Sequence, residues 1–263
     1  MIKLIASDMD GTLLEAGGNL PEDFFDIARQ LKNKGITLAA ASGRQFDNLR
    51  RLFQPIAGEM CYICENGAVN AVGREIISIR PMERSVVMEI IRMLQNFGLT
   101  VLLSGARAHY ITPDNRPFCD QMVYQLRNTI AVVESFDLVD DEMIKVSAYC
   151  EGGIEPYVER LEQKWGARVQ AARSGAQWFD FNTSNKGMGL RDLMAKLALR
   201  PEETVAFGDN FNDESMFKRV GHPFVMEKAD VRLRKPGVRV CEKVMPILKA
   251  ILAADGQLPE TIG

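Results

Sequence analysis

At 263 residues the chain is long enough for one large domain or two modest ones, each with a packed core. A composition of 46% hydrophobic and 25% charged residues is that of an ordinary globular protein, and a net charge of −3 offers neither a basic nucleic-acid surface nor a polyanionic tail. No apolar run approaches the ~20 residues that a bilayer requires. The N-terminus, Ile2-Lys3-Leu4-Ile5-Ala6, reads as a strand entering a charged motif rather than as a signal peptide. The expectation is a cytoplasmic protein with neither nucleic acid nor membrane as partner.

In chain order, residues 2–7 form a short apolar strand. Residues 21–34 repeat at helical spacing through Phe24, Phe25, Ile27, Ala28 and Leu31, with Pro21 in the first turn and Gly35 as the stop. Residues 36–41 read as a second strand, 45–53 as a helix and 61–64 as a third strand. Fully apolar strands alternating with helices imply parallel pairing with both sheet faces covered. Cys61-Tyr62-Ile63-Cys64 has C-x-x-C spacing, but the five cysteines are an odd number, no second pair follows, and only His109 and His222 could assist a zinc. A buried strand is the better reading.

From Pro81 the pattern changes. A helix over about 83–97 is followed by strands at 99–103 and 108–112, a helix at 118–128, strands at 130–136 and 144–149, a helix at 154–165, and strands at 167–171 and 177–182. Strands paired between helices point to a mixed or antiparallel sheet and a separate α+β domain, inserted between Pro81 and Asn182. The first pattern then returns, with a helix at 187–198, a strand at 204–208, and helices at 212–219 and 243–253.

Chemistry gathers at strand ends, where open parallel α/β sheets bind ligands. Asp8-Met9-Asp10-Gly11-Thr12 follows the first strand, and Gly11 lets the chain turn sharply. By itself this is equally well an acidic turn. Ser42-Gly43-Arg44 closes the second apolar strand and offers a hydroxyl and a backbone amide to phosphate oxygens, although a Ser N-cap would look the same. Gly208-Asp209-Asn210-Phe211-Asn212-Asp213 adds two more carboxylates after residues 204–207. Four aspartates at one rim repel unless something balances them, and magnesium suits carboxylates, water and a substrate phosphate. Lys186, in Asn185-Lys186-Gly187, stands where the chain re-enters the first domain.

These four segments, in this order, resemble the haloacid dehalogenase-like phosphatases. Asp8–Thr12 matches the family's D-x-D-G-T, Ser42 its strand-ending hydroxyl, Lys186 its lysine, and residues 208–213 its G-D-x-x-N-D. The position of the inserted domain, together with Glu65-Asn66-Gly67-Ala68, is similar to the Cof-type subfamily. One stretch departs: Cof-type chains often carry A-M-x-N-A after the fourth motif, and this one has Phe224-Val225-Met226-Glu227-Lys228-Ala229.

The resemblance implies an α/β fold: a Rossmann-like, doubly wound parallel-sheet core over 1–82 and 183–263, with an α+β cap over 83–182. It implies a magnesium-dependent phosphatase acting on a small-molecule phosphate ester. Asp8 would be the nucleophile and Asp10 the acid and base. Ser42, Gly43, Lys186 and Asn212 would hold the phosphate. Asp8, Asp209 and the Asp10 carbonyl would hold magnesium, with Asp213 supporting the metal site from behind. Arg173 and Gln177 are candidates for leaving-group selection in the cap. Arg44 and Glu65 are candidates for leaving-group contacts, with a surface salt bridge as the competing reading for each. A phosphotransferase or mutase on the same core, and a catalytically silent phosphate-binding protein, stand as alternatives. A dehalogenase would have no use for Asp10 as an acid.

Overall fold

The computed structural model describes residues 1–113, 118 and 129–259. The chain divides into two compact units, Met1–Ser78 with Asn185–Gly263, and Ile79–Ser184.

The first unit opens with strand β1 (Leu4–Asp8), helix α1 (Phe24–Asn33), β2 (Thr37–Ala41), α2 (Phe46–Leu52), β3 (Cys61–Cys64), β4 (Val69–Val72) and β5 (Glu75–Ile79). The second unit holds α3 (Arg84–Asn96), β6 (Thr100–Gly105), β7 (His109–Ile111), β8 (Ile130–Val132), β9 (Met143–Tyr149), α4 (Glu155–Trp165), β10 (Gln170–Arg173) and β11 (Trp178–Asn182). The chain returns to the first unit with α5 (Lys186–Lys196), β12 (Thr204–Gly208), the short α6 (Glu214–Phe217), β13 (His222–Met226), β14 (Arg239–Cys241) and α7 (Val244–Ala253).

The first unit is a doubly wound sheet in the order β14-β13-β12-β1-β2-β3-β4-β5. β1 lies between β2 and β12 and is parallel to both. From β1 the chain builds outward on one side through β2 and β3, and on the other through β12, β13 and β14. The strand order therefore reverses at the boundary between β1 and β12, and the carboxyl ends of the strands at such a reversal are where open α/β sheets bind ligands. β1 and β12 are buried throughout because both faces are covered. Leu4, Ala6, Ala39, Ala41 and Ala206 share one core with Leu190, Leu193 and Met216 of α5 and α6. On the other face, Phe24 of α1 and Leu248 of α7 line the same space as Ile5 and Leu38.

The sheet is not parallel throughout, because β4 runs antiparallel to β3. The sequence reading missed β4 and β5. β5 is mostly exposed or half-buried, so no apolar period marks it. β13 and β14 were also missed: the former opens on His222-Pro223, and the latter is three residues with two exposed. Pro21 lies outside α1. The Phe24 amide donates to the Pro21 carbonyl at 3.0 Å, a turn that delays the helix to Phe24. The expected helix at 212–219 is a tight turn over Phe211–Asp213 followed by one turn of helix. Cys61 and Cys64 are buried in β3, and burial pushes the Cys61 thiol up to about 12, which suits packing rather than metal or redox work.

The second unit has its own mixed sheet, β10-β11-β9-β6-β7-β8, antiparallel except for β7 with β8. Val101, Leu103, Val146, Ala148, Phe179 and Phe181 point into a core with residues of α3 and α4 such as Ile90, Leu94 and Trp165. The expected helix at 118–128 falls, apart from Phe118, outside the described residues. Among the described residues, no helix is long and apolar enough to cross a membrane.

Candidate active site

Asp8 is the last residue of β1, at the strand-order reversal. Its neighbour Ala41 ends β2 and leads into Ser42, while Gly208 and Asp209 leave the end of β12. Three sequence-distant segments are thus brought to one rim by strand register alone.

After Asp8 the chain makes a single wide turn, Met9 to Leu13, closed by the Leu14 amide donating to the Met9 carbonyl at 2.9 Å. Gly11 adopts φ +84°, and a Cβ there would sit 2.3 Å from Asp209 Oδ2. Glycine is required both for the backbone conformation and for the approach of that carboxylate. The turn also aims Thr12, whose hydroxyl donates to Asp209 Oδ1 at 3.2 Å.

Lys186 stands in the first turn of α5, which is capped by Asn185 Oδ1 accepting from the Met188 amide at 3.0 Å. Its side chain is only 1% exposed. The ammonium donates to Asp8 Oδ1 and, at 2.6 Å, to Asp213 Oδ1. Burial alone would lower the Lys186 pKa, but the Asp213 and Asp8 carboxylates reverse this and raise it, so the lysine is charged. The other oxygen of Asp213 accepts from the Asp209 and Asn210 amides, both at 3.0 Å. Gly208 makes room for this, since a Cβ there would fall 2.4 Å from the Asp213 Cβ. Asp213, with no exposed surface, thus ties Lys186 to the loop that carries Asp209.

The carboxylates crowd one another. One oxygen from each of Asp8, Asp209 and Asp213 lies within 4.8 Å of the others. Burial pushes the Asp8 carboxyl up to about 7, although the Lys186 charge opposes it. Asp209 is also raised, by burial and then by Asp213. Hard oxygen donors whose charge is uncompensated fit a divalent cation such as magnesium. Asp213 already spends both oxygens on the lysine and two amides, so Asp8 and Asp209 are the carboxylates left to face an ion.

Ser42 is 4% exposed. Its amide donates to the Ile63 carbonyl at 2.8 Å, and its hydroxyl accepts from the Arg44 amide at 3.3 Å. Gly43 follows, with Asn66 Nδ2 3.3 Å from where a Cβ would be. Asn66 Oδ1 also accepts from Asn212 Nδ2 at 3.4 Å, so Asn66 touches residues of both the second and the fourth motif. Asp10 turns its carboxylate to Arg44 rather than to the Asp8 cluster. Glu65 is buried at φ +48°. In the second unit, Arg173 pairs with Glu155 at 2.7 Å and Gln177 donates to the Glu151 carbonyl at 2.8 Å.

The sequence reading missed the Thr12 hydroxyl on Asp209, the Arg44 fork on Asp10 and the bridging place of Asn66. The first pair is 197 residues apart and the second 34, and no local pattern carries a contact across such distances.

A family profile described as haloacid dehalogenase-like hydrolase matches residues 5–243. The 5-amino-6-(5-phospho-D-ribitylamino)uracil phosphatase YbjI of Escherichia coli is 27% identical over 233 residues, covering 87% of this chain and 86% of that protein. The pyridoxal phosphate phosphatase YbhA of the same organism is 24% identical over 249 residues, covering 87% of this chain and 89% of that one. A crystal structure from Eubacterium rectale is 25% identical with a TM-score of 0.84, covering 95% of this chain and 99% of that chain. With the match spanning almost the whole chain and the family's fold around it, this protein belongs to the haloacid dehalogenase-like hydrolases, as a phosphatase of the Cof type.

Proposed function

We propose that the protein is a magnesium-dependent phosphatase that moves the phosphoryl group of a small phosphorylated metabolite onto Asp8 and then to water. The observation that carries this reading is the buried Asp8 at the strand-order reversal, bonded to a lysine that Asp213 holds in turn. The two curated relatives support a small ester as substrate. One is named for a phosphoribitylamino-uracil and the other for pyridoxal phosphate.

In this mechanism an Asp8 oxygen attacks phosphorus, the bridging P–O bond breaks, and an aspartyl-phosphate forms. One hard displacement becomes two easier ones. Asp10 gives a proton to the leaving oxygen, then takes one from the water that attacks the aspartyl-phosphate. Lys186, the Ser42 hydroxyl, the Gly43 amide and Asn212 hold the phosphoryl oxygens. Asp213 keeps Lys186 in place. Asp8 and Asp209, with the Asp10 carbonyl, would hold the magnesium, whose contribution is positive charge beside the phosphoryl oxygens. The second unit, as a cap, discriminates among leaving groups.

The test is hydrolysis of a chromogenic aryl phosphate with magnesium and with excess chelator. Turnover that needs magnesium is expected. Full activity in chelator would contradict the metal site, and no turnover across a panel of phosphate esters would favour a silent binding protein.

A further inference from the structure

Arg44 places a two-pronged contact on Asp10. Its Nη2 donates to Oδ1 at 2.6 Å and its Nε to Oδ2 at 3.2 Å. An isolated exposed ion pair contributes little. This one differs in two respects. Both oxygens are gripped in the planar fork geometry that only arginine offers. The main chain of Arg44 is also pinned at both ends: its amide donates to Ser42 Oγ at 3.3 Å, and its carbonyl accepts from the Glu65 amide at 3.1 Å.

That second anchor is held by an unusual backbone. Glu65, Asn66 and Gly67 take φ values of +48°, +54° and +91° in succession. Left-handed conformations are unfavourable for Glu and persist only where the surroundings enforce them. Here they direct the Glu65 and Asn66 amides onto the Arg44 and Ser42 carbonyls, at 3.1 and 3.0 Å. Asp10 by contrast has a side chain 63% exposed and is followed by a glycine, so little else fixes its carboxylate.

We propose that Arg44 is the positioning residue for Asp10, holding the carboxyl group in the orientation that delivers a proton to the leaving group and later accepts one from water. This rests on the phosphatase reading above. In the first step the Asp10 O–H bond breaks as the bridging P–O bond breaks, and the proton goes to the leaving oxygen. The carboxylate left behind meets the Arg44 fork. In the second step a water O–H bond breaks, its proton returns to Asp10, the water oxygen bonds to phosphorus, and the Asp8–phosphorus bond opens.

The experiment compares R44A, R44K, D10N and the double variant R44A/D10N on two esters: glycerol phosphate, whose alkoxide needs a proton, and 4-nitrophenyl phosphate, whose phenolate does not. R44A is expected to lower kcat/KM about 10–100-fold for glycerol phosphate and by only about 3-fold or less for 4-nitrophenyl phosphate. R44K should recover part of the loss on glycerol phosphate. R44A/D10N should be no slower than D10N, because Arg44 acts through Asp10. Equal losses on both esters, losses that multiply in the double variant, or a raised KM with kcat unchanged would each overturn the proposal and make Arg44 an independent ligand. If R44A does not fold, R44K carries the comparison, with a smaller loss confined to glycerol phosphate. A wild-type protein that hydrolyses neither ester would overturn the phosphatase reading itself, an outcome distinct from any behaviour of the variants.

Discussion

Lys186 donates to Asp213 at 2.6 Å in a place where neither side chain has more than 1% of its surface exposed. The same ammonium bonds Asp8. Removing the lysine would leave two buried carboxylates without their counter-charge.

Lys186→Met should therefore damage both stability and activity. Thermal or denaturant unfolding should show a loss of about 3–5 kcal/mol, the range for breaking a buried pair from one side. Where the variant folds, kcat/KM should fall on the order of 100-fold or more for every ester alike, because the lost contact is to the phosphoryl group that all of them share. A loss confined to some esters would place Lys186 in leaving-group recognition instead.

The Asp8 carboxyl gives a pH dependence with a definite sign. Burial raises it from the ordinary 3.8 to about 7 in the folded, metal-free protein. The native state then binds more protons than the unfolded chain between these values, so stability falls as pH rises through that window. Below about pH 4 the penalty is absent, and above about pH 7 it is complete. Asp8→Asn removes it, so the variant should be the more stable of the two at pH 8, on the order of 2–4 kcal/mol, and little different at pH 4. Urea unfolding in chelator at both pH values measures this. Equal differences at the two pH values would contradict an Asp8 origin.

Magnesium should oppose that penalty by neutralising Asp8 and Asp209. The wild type should gain thermal stability with added magnesium at pH 8, and Asp209→Asn should lose most of that gain. Calcium, with its larger and looser oxygen shell, should bind and stabilise while inhibiting turnover. A midpoint indifferent to magnesium in the wild type would exclude the ion from this cluster.

Under the proposed function, discrimination among esters falls to the second unit, Ile79–Ser184, because the residues proposed to hold phosphate and metal all belong to the first. One face of its sheet carries Asn182, Lys145, Ser104 and His109 in register across four strands, all buried. Arg173 and Gln177, which the sequence offers as candidates, are instead bonded to Glu155 and the Glu151 carbonyl. Lys145→Met or His109→Phe should alter the kcat/KM ratio between two good substrates about 10-fold or more, whereas Ser42→Ala should lower both together. Ratios unchanged in both second-unit variants would remove this row from specificity.

Much of this was legible from residue order. β1, β2, β3 and β12 were evident as short apolar runs because buried parallel strands need apolar residues on both faces. Asp8, Ser42 and Asp209 stood out because each follows such a run. β5 and β14 were not legible, since exposed edge strands carry no apolar period. Side-chain partnerships were less legible still. Asp213 was marked as acidic, but nothing local showed that its oxygens would serve Lys186 and two backbone amides. The Arg44 fork on Asp10 depends on β1 and β2 lying side by side in register, a tertiary fact.

Covalent catalysis at Asp8 is tested most directly by rapid acid quench of the protein turning over a phosphate ester in magnesium, followed by mass analysis of its peptides. The expected result is one added phosphoryl group on the peptide bearing Asp8, removed by hydroxylamine and absent from Asp8→Asn, which should also be inactive. A phosphoryl group on another residue, or an Asp8→Asn variant that retains most of the wild-type turnover, would contradict it.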